Sequence, residues 1–83
     1  MGDVIVVFKI IPAEMEYFQP LKKELEKLKP QRLEEEPIAF GIKAWMFTKI
    51  VPDAEGTLPA LEEKLANLKG VQSAETVEVS RSL

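Results

Sequence analysis

The 83-residue sequence contains no cysteine and no histidine. Without cysteine the chain has no disulfide, no thiolate metal site and no thiol nucleophile. Without histidine it lacks the usual general base near neutral pH and the commonest metal ligand. A chain of this length forms a thin core and buries only about 60–65% of its unfolded surface. We therefore expect residues 1–83 to be one domain that binds a partner, with no cofactor, no metal and no catalytic residue.

Basic residues are in the minority, with 11 Lys and Arg against 14 Asp and Glu, which gives a net charge of −3. Nucleic-acid binders usually show a basic excess, so direct nucleic-acid binding is disfavoured. The apolar runs are interrupted by Lys9, Lys43 and Lys49, far short of a membrane span. The amino-terminal residues lack the pattern of a secretory signal. These features predict a cytoplasmic protein with no membrane partner.

Apolar patterning predicts four strands and two helices. The strands are residues 4–11, 31–38, 42–51 and 72–80, and the second of them, with its glutamates and Pro37, is suited to an edge. The first helix is predicted over residues 20–29, where Leu21, Leu25 and Leu28 share one face. In the second helix Thr57 is the expected N-cap, Gly70 the stop, and the buried stripe comprises Leu58, Leu61, Leu65 and Leu68. The order β-α-β-β-α-β predicts an α+β, ferredoxin-like fold: a four-stranded antiparallel sheet with both helices on one face.

The other face of this sheet is expected to be open. On the third strand Trp45 and Phe47 alternate in phase with Lys43 and Lys49, which assigns this set to the open face. On the first strand the set that contains Lys9 is Ile5, Val7, Lys9 and Ile11. An apolar patch among charges indicates an interaction surface, whereas a reversed assignment would place the aromatic residues in the core. On the last strand, Val77 and Val79 are expected on one face and Thr76 and Glu78 on the other.

Three acidic or glycine-containing segments have some features of a ligand site. Glu34, Glu35 and Glu36 alternate between faces, so they do not converge on a metal. The segment Asp53-Ala54-Glu55-Gly56 has too few ligands for an EF-hand and is interpreted as a connector. The Gly56-Thr57 helix start would suit a phosphate, but the chain has no P-loop lysine pattern, so it is not expected to hold a nucleotide.

The least generic segment runs from Pro37 to Lys43. It places Phe40 in a predicted turn, Ala39-Phe40-Gly41, where polar residues are usual. Such a ring either folds back onto the hairpin or fills a pocket on a partner.

This segment resembles the Pro-x-Gly/Ala-Phe/Tyr-Gly-Ile-Lys motif of the elongation factor 1-beta exchange domain. The resemblance continues through Val51-Pro52-Asp53, Gly56-Thr57, Leu61-Glu62-Glu63 and Val71-Gln72-Ser73, and the short archaeal form is the most similar. It implies a guanine nucleotide exchange factor that acts without covalent chemistry in translation elongation. Its partner would be elongation factor 1-alpha, the GTPase that binds GDP, GTP and Mg²⁺.

The resemblance also implies the partner-binding residues. Phe40 matches the hairpin-tip aromatic that docks on the GTPase, Gly41 provides backbone geometry, and Ile42 and Lys43 complete the motif. Eukaryotic members carry a lysine next to the last residue that reaches the partner's Mg²⁺ site. Here Ser82 occupies that position and Arg81 precedes it, so Arg81 is either the corresponding cation or a plain surface arginine.

A different class of function remains open from the sequence alone. A small ferredoxin-like regulatory or assembly module would self-associate through the open sheet face. The exchange-factor interpretation instead predicts a monomer or weak dimer that acts on the GTPase.

Overall fold

The computed structural model describes residues 2–81. Its strands are β1 (Asp3–Pro12), β2 (Arg32–Ala39), β3 (Ile42–Pro52) and β4 (Val71–Ser80). They form one antiparallel sheet in the order β2-β3-β1-β4, which makes β2 an edge strand as predicted. The helices are α1 (Phe18–Glu26), entered through a 3₁₀ turn (Met15–Tyr17), and α2 (Thr57–Ala66). This arrangement confirms the predicted ferredoxin-like fold.

The core lies between one face of the sheet and both helices. Alternate residues of β1 are buried, and they meet buried residues of β3 and the leucines of α1 and α2. Burying one such side chain contributes about 1.5–3 kcal/mol. The main contributors are Val4, Val6, Phe8, Ile10, Leu21, Leu25, Trp45, Phe47 and Leu65.

The predicted orientation of β3 is wrong. Trp45 and Phe47 are 2% and 0% exposed, and in the strand register they lie beside Ile10 and Phe8 of β1. The misleading residue is Lys49, which shares this buried face but extends its ammonium group to the backbone oxygens of Leu28 and Lys29, at 2.9 and 3.1 Å. A lysine can occupy a covered face when its stem packs and its ammonium group reaches the rim.

On β1 the predicted faces are correct. Ile5, Val7, Lys9 and Ile11 are only partly buried, while the residues between them are in the core. The open face of the sheet therefore has aliphatic and charged side chains, but not the two aromatic residues predicted there.

A bulge in β4 overturns the predicted faces of that strand. Glu78 lies opposite Val7 but Thr76 lies opposite Phe8, so Val77 is an extra residue and the alternation shifts by one. Thr76 consequently faces α2, where Glu62 Oε2 accepts hydrogen bonds from its amide at 3.0 Å and its hydroxyl at 2.8 Å.

The helix ends differ by a few residues from those predicted. α1 begins two residues before Pro20, which therefore lies in the first turn, where its missing N–H is harmless. Gly56, with φ of 85°, occupies the N-cap position of α2, so the prediction of Thr57 as N-cap is wrong and Thr57 is the first residue of the helix. No side chain caps this end of the helix with a hydrogen bond. The predicted leucine stripe is confirmed, because Leu65 is buried and the other three leucines pack against the core. The helix itself ends at Ala66 with Asn67 as its C-cap, before Leu68 and before the stop predicted at Gly70.

Candidate partner-binding site

A two-residue turn joins β2 to β3. Ala39 pairs with Ile42, and the loop between them consists of Phe40 and Gly41, with φ of 51° and 78°. Positive φ at both positions is the signature of a type I′ turn, for which Asn-Gly is the favoured sequence. A bulky residue in this left-handed region costs about 1–2 kcal/mol. The chain thus tolerates backbone strain to place an aromatic residue at this position.

The side chain of Phe40 is 100% exposed. The ring therefore does not fold back onto the hairpin, which was one of the two sequence alternatives. Ile38 and Ile42, on either side of the turn, are also exposed. We call these three residues the apolar tip. Exposed apolar groups clustered at one point are typical of an interaction site.

The hairpin extends beyond the rest of the sheet. Pairing between β1 and β3 stops at Ile10 and Trp45, whereas pairing between β2 and β3 continues to Ala39 and Ile42. A register shift between Pro37 and Ala39 leaves Ile38 as an extra residue near the end. The apolar tip is therefore carried on a short two-stranded ribbon.

Two surface ion pairs flank the ribbon, one of them formed by the half-buried Lys9. Lys43 Nζ lies 3.2 Å from Glu35 Oε1, and Lys9 Nζ lies 3.6 Å from Glu36 Oε2. Pairs this exposed stabilise by at most about 1 kcal/mol. Lys43 is therefore held near the tip by a contact weak enough to be exchanged for one with a partner.

The connection between β1 and α1 also reaches the hairpin. The backbone N–H of Lys43 donates to Met15 Sδ at 3.4 Å. Glu14 and Glu16 flank Met15 in sequence, and a side-chain hydrogen bond in which protonated Glu16 donates to the Glu14 carboxylate, together with the Glu14 charge, raises the pKa of Glu16 above the ordinary value. The sequence did not reveal this contact, because 28 residues separate Met15 from Lys43 and no local pattern connects them.

Arg81 lies at the other end of the sheet. Ser80 pairs with Ile5, and Asp3 pairs with Pro52, so β4 and β3 finish at the same end of the sheet, on either side of β1 and remote from Phe40. The Arg81 guanidinium forms an ion pair with the Asp53 carboxylate. Asp53 is itself held by its amide, which donates to the Gly2 oxygen at 3.0 Å.

The structure does not bring the two halves of the predicted site together. The 11 residues of β3 separate them, and at about 3.3 Å per residue the distance is roughly 35 Å. Ser82, the other predicted carboxy-terminal residue, lies outside the described residues. Within residues 2–81, His, Cys, Asp and Glu form no group of three or more that could hold a metal ion. Within the same range no helix is long and apolar enough to cross a membrane.

The similarity of this sequence to known proteins is consistent with the fold and the hairpin described above. Residues 5–81 match the family described as the EF-1 guanine nucleotide exchange domain. The chain belongs to this family. The match includes both the Phe40 hairpin and Arg81, and it confirms the resemblance inferred from the sequence.

Several relatives of the exchange domain match over almost their whole length. Elongation factor 1-beta from Methanothermobacter thermautotrophicus is 38% identical, covering 98% of each chain. The protein of the same name from Methanoregula boonei is 40% identical over 96% of this chain and 98% of its own. That from Methanosarcina acetivorans is 38% identical over 98% and 99%. The predicted similarity to the short archaeal form is thus confirmed.

Proposed function

We propose that this exchange domain accelerates release of GDP from elongation factor 1-alpha, so that GTP can bind, and that it does so without covalent chemistry. Residues 1–83 act as one domain in this proposal. The observation that carries it is the fully exposed Phe40 on a projecting hairpin, in a chain whose residues 5–81 match an exchange-domain family.

The apolar tip supports docking on energetic grounds. In the free domain Phe40 gains nothing from burial and has an unfavourable backbone conformation. Burying a phenylalanine side chain in a partner's pocket contributes about 1.5–3 kcal/mol. An aromatic anchor surrounded by smaller apolar contacts is the usual form of a binding hot spot. Gly41 keeps the turn geometry, and Ile42 and Lys43 border the anchor.

Exchange requires only differential affinity. The domain must bind the nucleotide-free GTPase more tightly than the GDP-bound form, since a ligand shifts an equilibrium only by that difference. By reciprocity, GDP then weakens the domain's binding by the same factor. A coupling of about 4 kcal/mol would weaken GDP binding roughly a thousandfold.

The second contact is assigned to the carboxy-terminal end, with Arg81 and Ser82. Two contacts separated by about 35 Å along β3 cannot enter one pocket, so the hairpin and the carboxy-terminal end meet different surfaces of the GTPase. Arg81 forms an exposed ion pair with Asp53 and would only exchange it for a pair with the partner, which yields little net free energy, whereas burial of the Phe40 ring is a full gain. We therefore expect Phe40 to contribute more to exchange than Arg81.

The partner is a protein surface, and the domain acts as a monomer or weak dimer in the cytoplasm, where translation takes place, with no direct nucleic-acid contact. The alternative of self-association through the open sheet face depends on apolar and aromatic side chains lying there among lysines. The aliphatic residues of β1 do lie on that face, but its two expected aromatic residues, Trp45 and Phe47, are in the core. The exchange-factor proposal therefore accounts better for the exposed residues.

Release of fluorescent GDP from purified elongation factor 1-alpha tests the proposal. Wild-type domain is compared with Phe40→Ala, Lys43→Ala, Arg81→Ala and Ser82→Ala. Val77→Ala is the matched control, because Val77 is an exposed apolar residue on β4, away from both ends of the proposed contact.

We expect the wild type and Val77→Ala to accelerate release equally, and Phe40→Ala to lose most of the effect. No acceleration by saturating wild type, with a GTPase that binds GDP normally, would overturn the exchange function. Full activity of Phe40→Ala would instead overturn the role of the hairpin.

A further inference from the structure

We propose that Met15 is a positioning residue for Phe40, because its thioether fixes the base of the hairpin relative to the sheet. The proposal rests on the proposed function in one respect, namely that Phe40 contacts the GTPase. The positioning itself is a property of the isolated domain and can be measured there.

The first step concerns a backbone donor that lies beyond the paired part of β1. β1 pairs with β3 only as far as Trp45, so the strand ladder provides no acceptor from β1 for Lys43. Met15 Sδ accepts the Lys43 N–H at 3.4 Å instead. A thioether is a weak acceptor, but its side chain is flexible and fills irregular gaps. Met15 thus provides, at Lys43, the hydrogen-bond acceptor that β1 provides further along β3.

The second step concerns how firmly Met15 is held. The residues on both sides of it are tied to the body of the domain. The Ala13 amide donates to the Gly70 oxygen at 2.7 Å, and Tyr17 packs directly over Gly70. Phe18 follows and stacks on Trp45. Met15 therefore lies on a fixed turn and transmits the position of that turn to the hairpin.

The third step concerns how contacts at the base of the hairpin determine the position of Phe40 at its tip. A two-stranded ribbon is marginally stable by itself, so it needs support at its base. Lys43 is three residues from Phe40, and Trp45, two residues further into the sheet, is fixed by its contact with Phe18. Contacts at Lys43 and Trp45 together define the direction of β3 near the hairpin. With the Trp45 contact alone, Ile42 and Lys43 at the start of β3 would be free to bend. Met15 consequently determines the angle at which Phe40 meets a partner.

Three substitutions separate the properties of Met15. Met15→Leu keeps an apolar side chain but removes the acceptor, Met15→Gln supplies an oxygen acceptor, and Met15→Ala removes both. Met46→Leu is the control, because Met46 is on the same sheet but on its open face, opposite Lys9. Amide hydrogen exchange at Lys43 is measured by NMR on the domain alone, with the Thr48 amide as internal reference.

We expect the Lys43 amide to exchange about three- to tenfold faster in Met15→Leu and Met15→Ala, since one weak hydrogen bond is lost. Met15→Gln should restore protection, and the Thr48 amide should not change. An unchanged Lys43 amide in Met15→Leu would overturn the proposal, whether or not the domain proves to be an exchange factor.

A double-mutant cycle that combines Met15→Ala with Phe40→Ala then tests whether Met15 acts through Phe40. We expect Met15→Ala alone to raise the domain concentration that gives half-maximal GDP release, while leaving the maximal rate unchanged. In the Phe40→Ala background, Met15→Ala should add no further loss. Equal losses in both backgrounds would show that Met15 contacts the GTPase independently and would overturn positioning.

Discussion

Trp45 and Phe18 are joined in two ways. Their rings stack with centroids 4.3 Å apart and planes 9° from parallel, and the indole Nε1 of Trp45 donates to the backbone oxygen of Phe18 at 2.8 Å. The first residue of α1 is therefore fixed to the strand that carries the hairpin. Movement of this helix end relative to β3 would break both contacts together.

Trp45→Phe should lower the free energy of unfolding by about 1–3 kcal/mol, because it removes a buried hydrogen bond and part of the indole volume. Since Trp45 is the sole tryptophan in the sequence, far-UV circular dichroism in urea is a better probe than fluorescence. Lys22→Ala, at an exposed position of α1, should change the free energy by less than about 0.5 kcal/mol. Equal stability of Trp45→Phe and the wild type would contradict the importance of this contact.

Gly70→Ala should destabilise the domain more than Gly56→Ala. Both glycines have left-handed φ, 90° and 85°, so alanine has a similar conformational cost of about 1–2 kcal/mol at either position. A Cβ at Gly70 would also lie 2.5 Å from Tyr17 Cγ, whereas at Gly56 it would meet nothing within 4 Å. Urea unfolding of both variants isolates the overlap with Tyr17, and similar losses would show that the ring moves aside at no cost.

Lys49→Met should cost about 1–2 kcal/mol of stability. The substitution keeps the apolar stem but removes an ammonium group that binds two carbonyl oxygens just after α1, where a positive charge is also favoured by the helix dipole. Lys43→Met is the matched control on the same face of β3, since among residues 2–81 its ammonium group is paired with the exposed Glu35 carboxylate alone. The comparison is made by thermal and urea unfolding, and equal effects of the two substitutions would argue against the carbonyl contacts.

Phe40→Asn should stabilise the domain while reducing exchange. Asparagine adopts positive φ more readily than phenylalanine and forms the favoured Asn-Gly turn, so the gain should be about 0.5–1 kcal/mol. Phe40→Ala lacks this relief, and both variants lack the aromatic anchor. Unfolding in urea and GDP release are measured on the same preparations. If Phe40→Asn is stabilised yet fully active, the backbone strain in the turn is supported but the docking role of the Phe40 ring is contradicted.

The sequence predicted the element order and the leucine stripes because these depend on local periodicity. It failed at Lys49, where a charged residue occupies a covered face because its ammonium group reaches the end of α1. It failed again at Val77, where one extra residue reverses the alternation of β4. Exposure of the Phe40 ring was one of the two alternatives that the sequence left open. The contacts of Met15 with Lys43 and of Asp53 with Arg81 were not predicted. Their contacts join segments 28 residues apart, and such pairs become visible only when strand register is known.

The two edge strands of the sheet bear on how the domain tolerates an uncovered phenylalanine. β2 combines three glutamates with Pro37 and an extra residue at Ile38, and β4 has its bulge at Val77. Charges, proline and bulges each block the addition of a further strand. Copies of the domain that meet through their apolar tips therefore find both edge strands, β2 and β4, unfavourable for adding a strand. Protection of these edges leaves the Phe40 ring free for a specific partner.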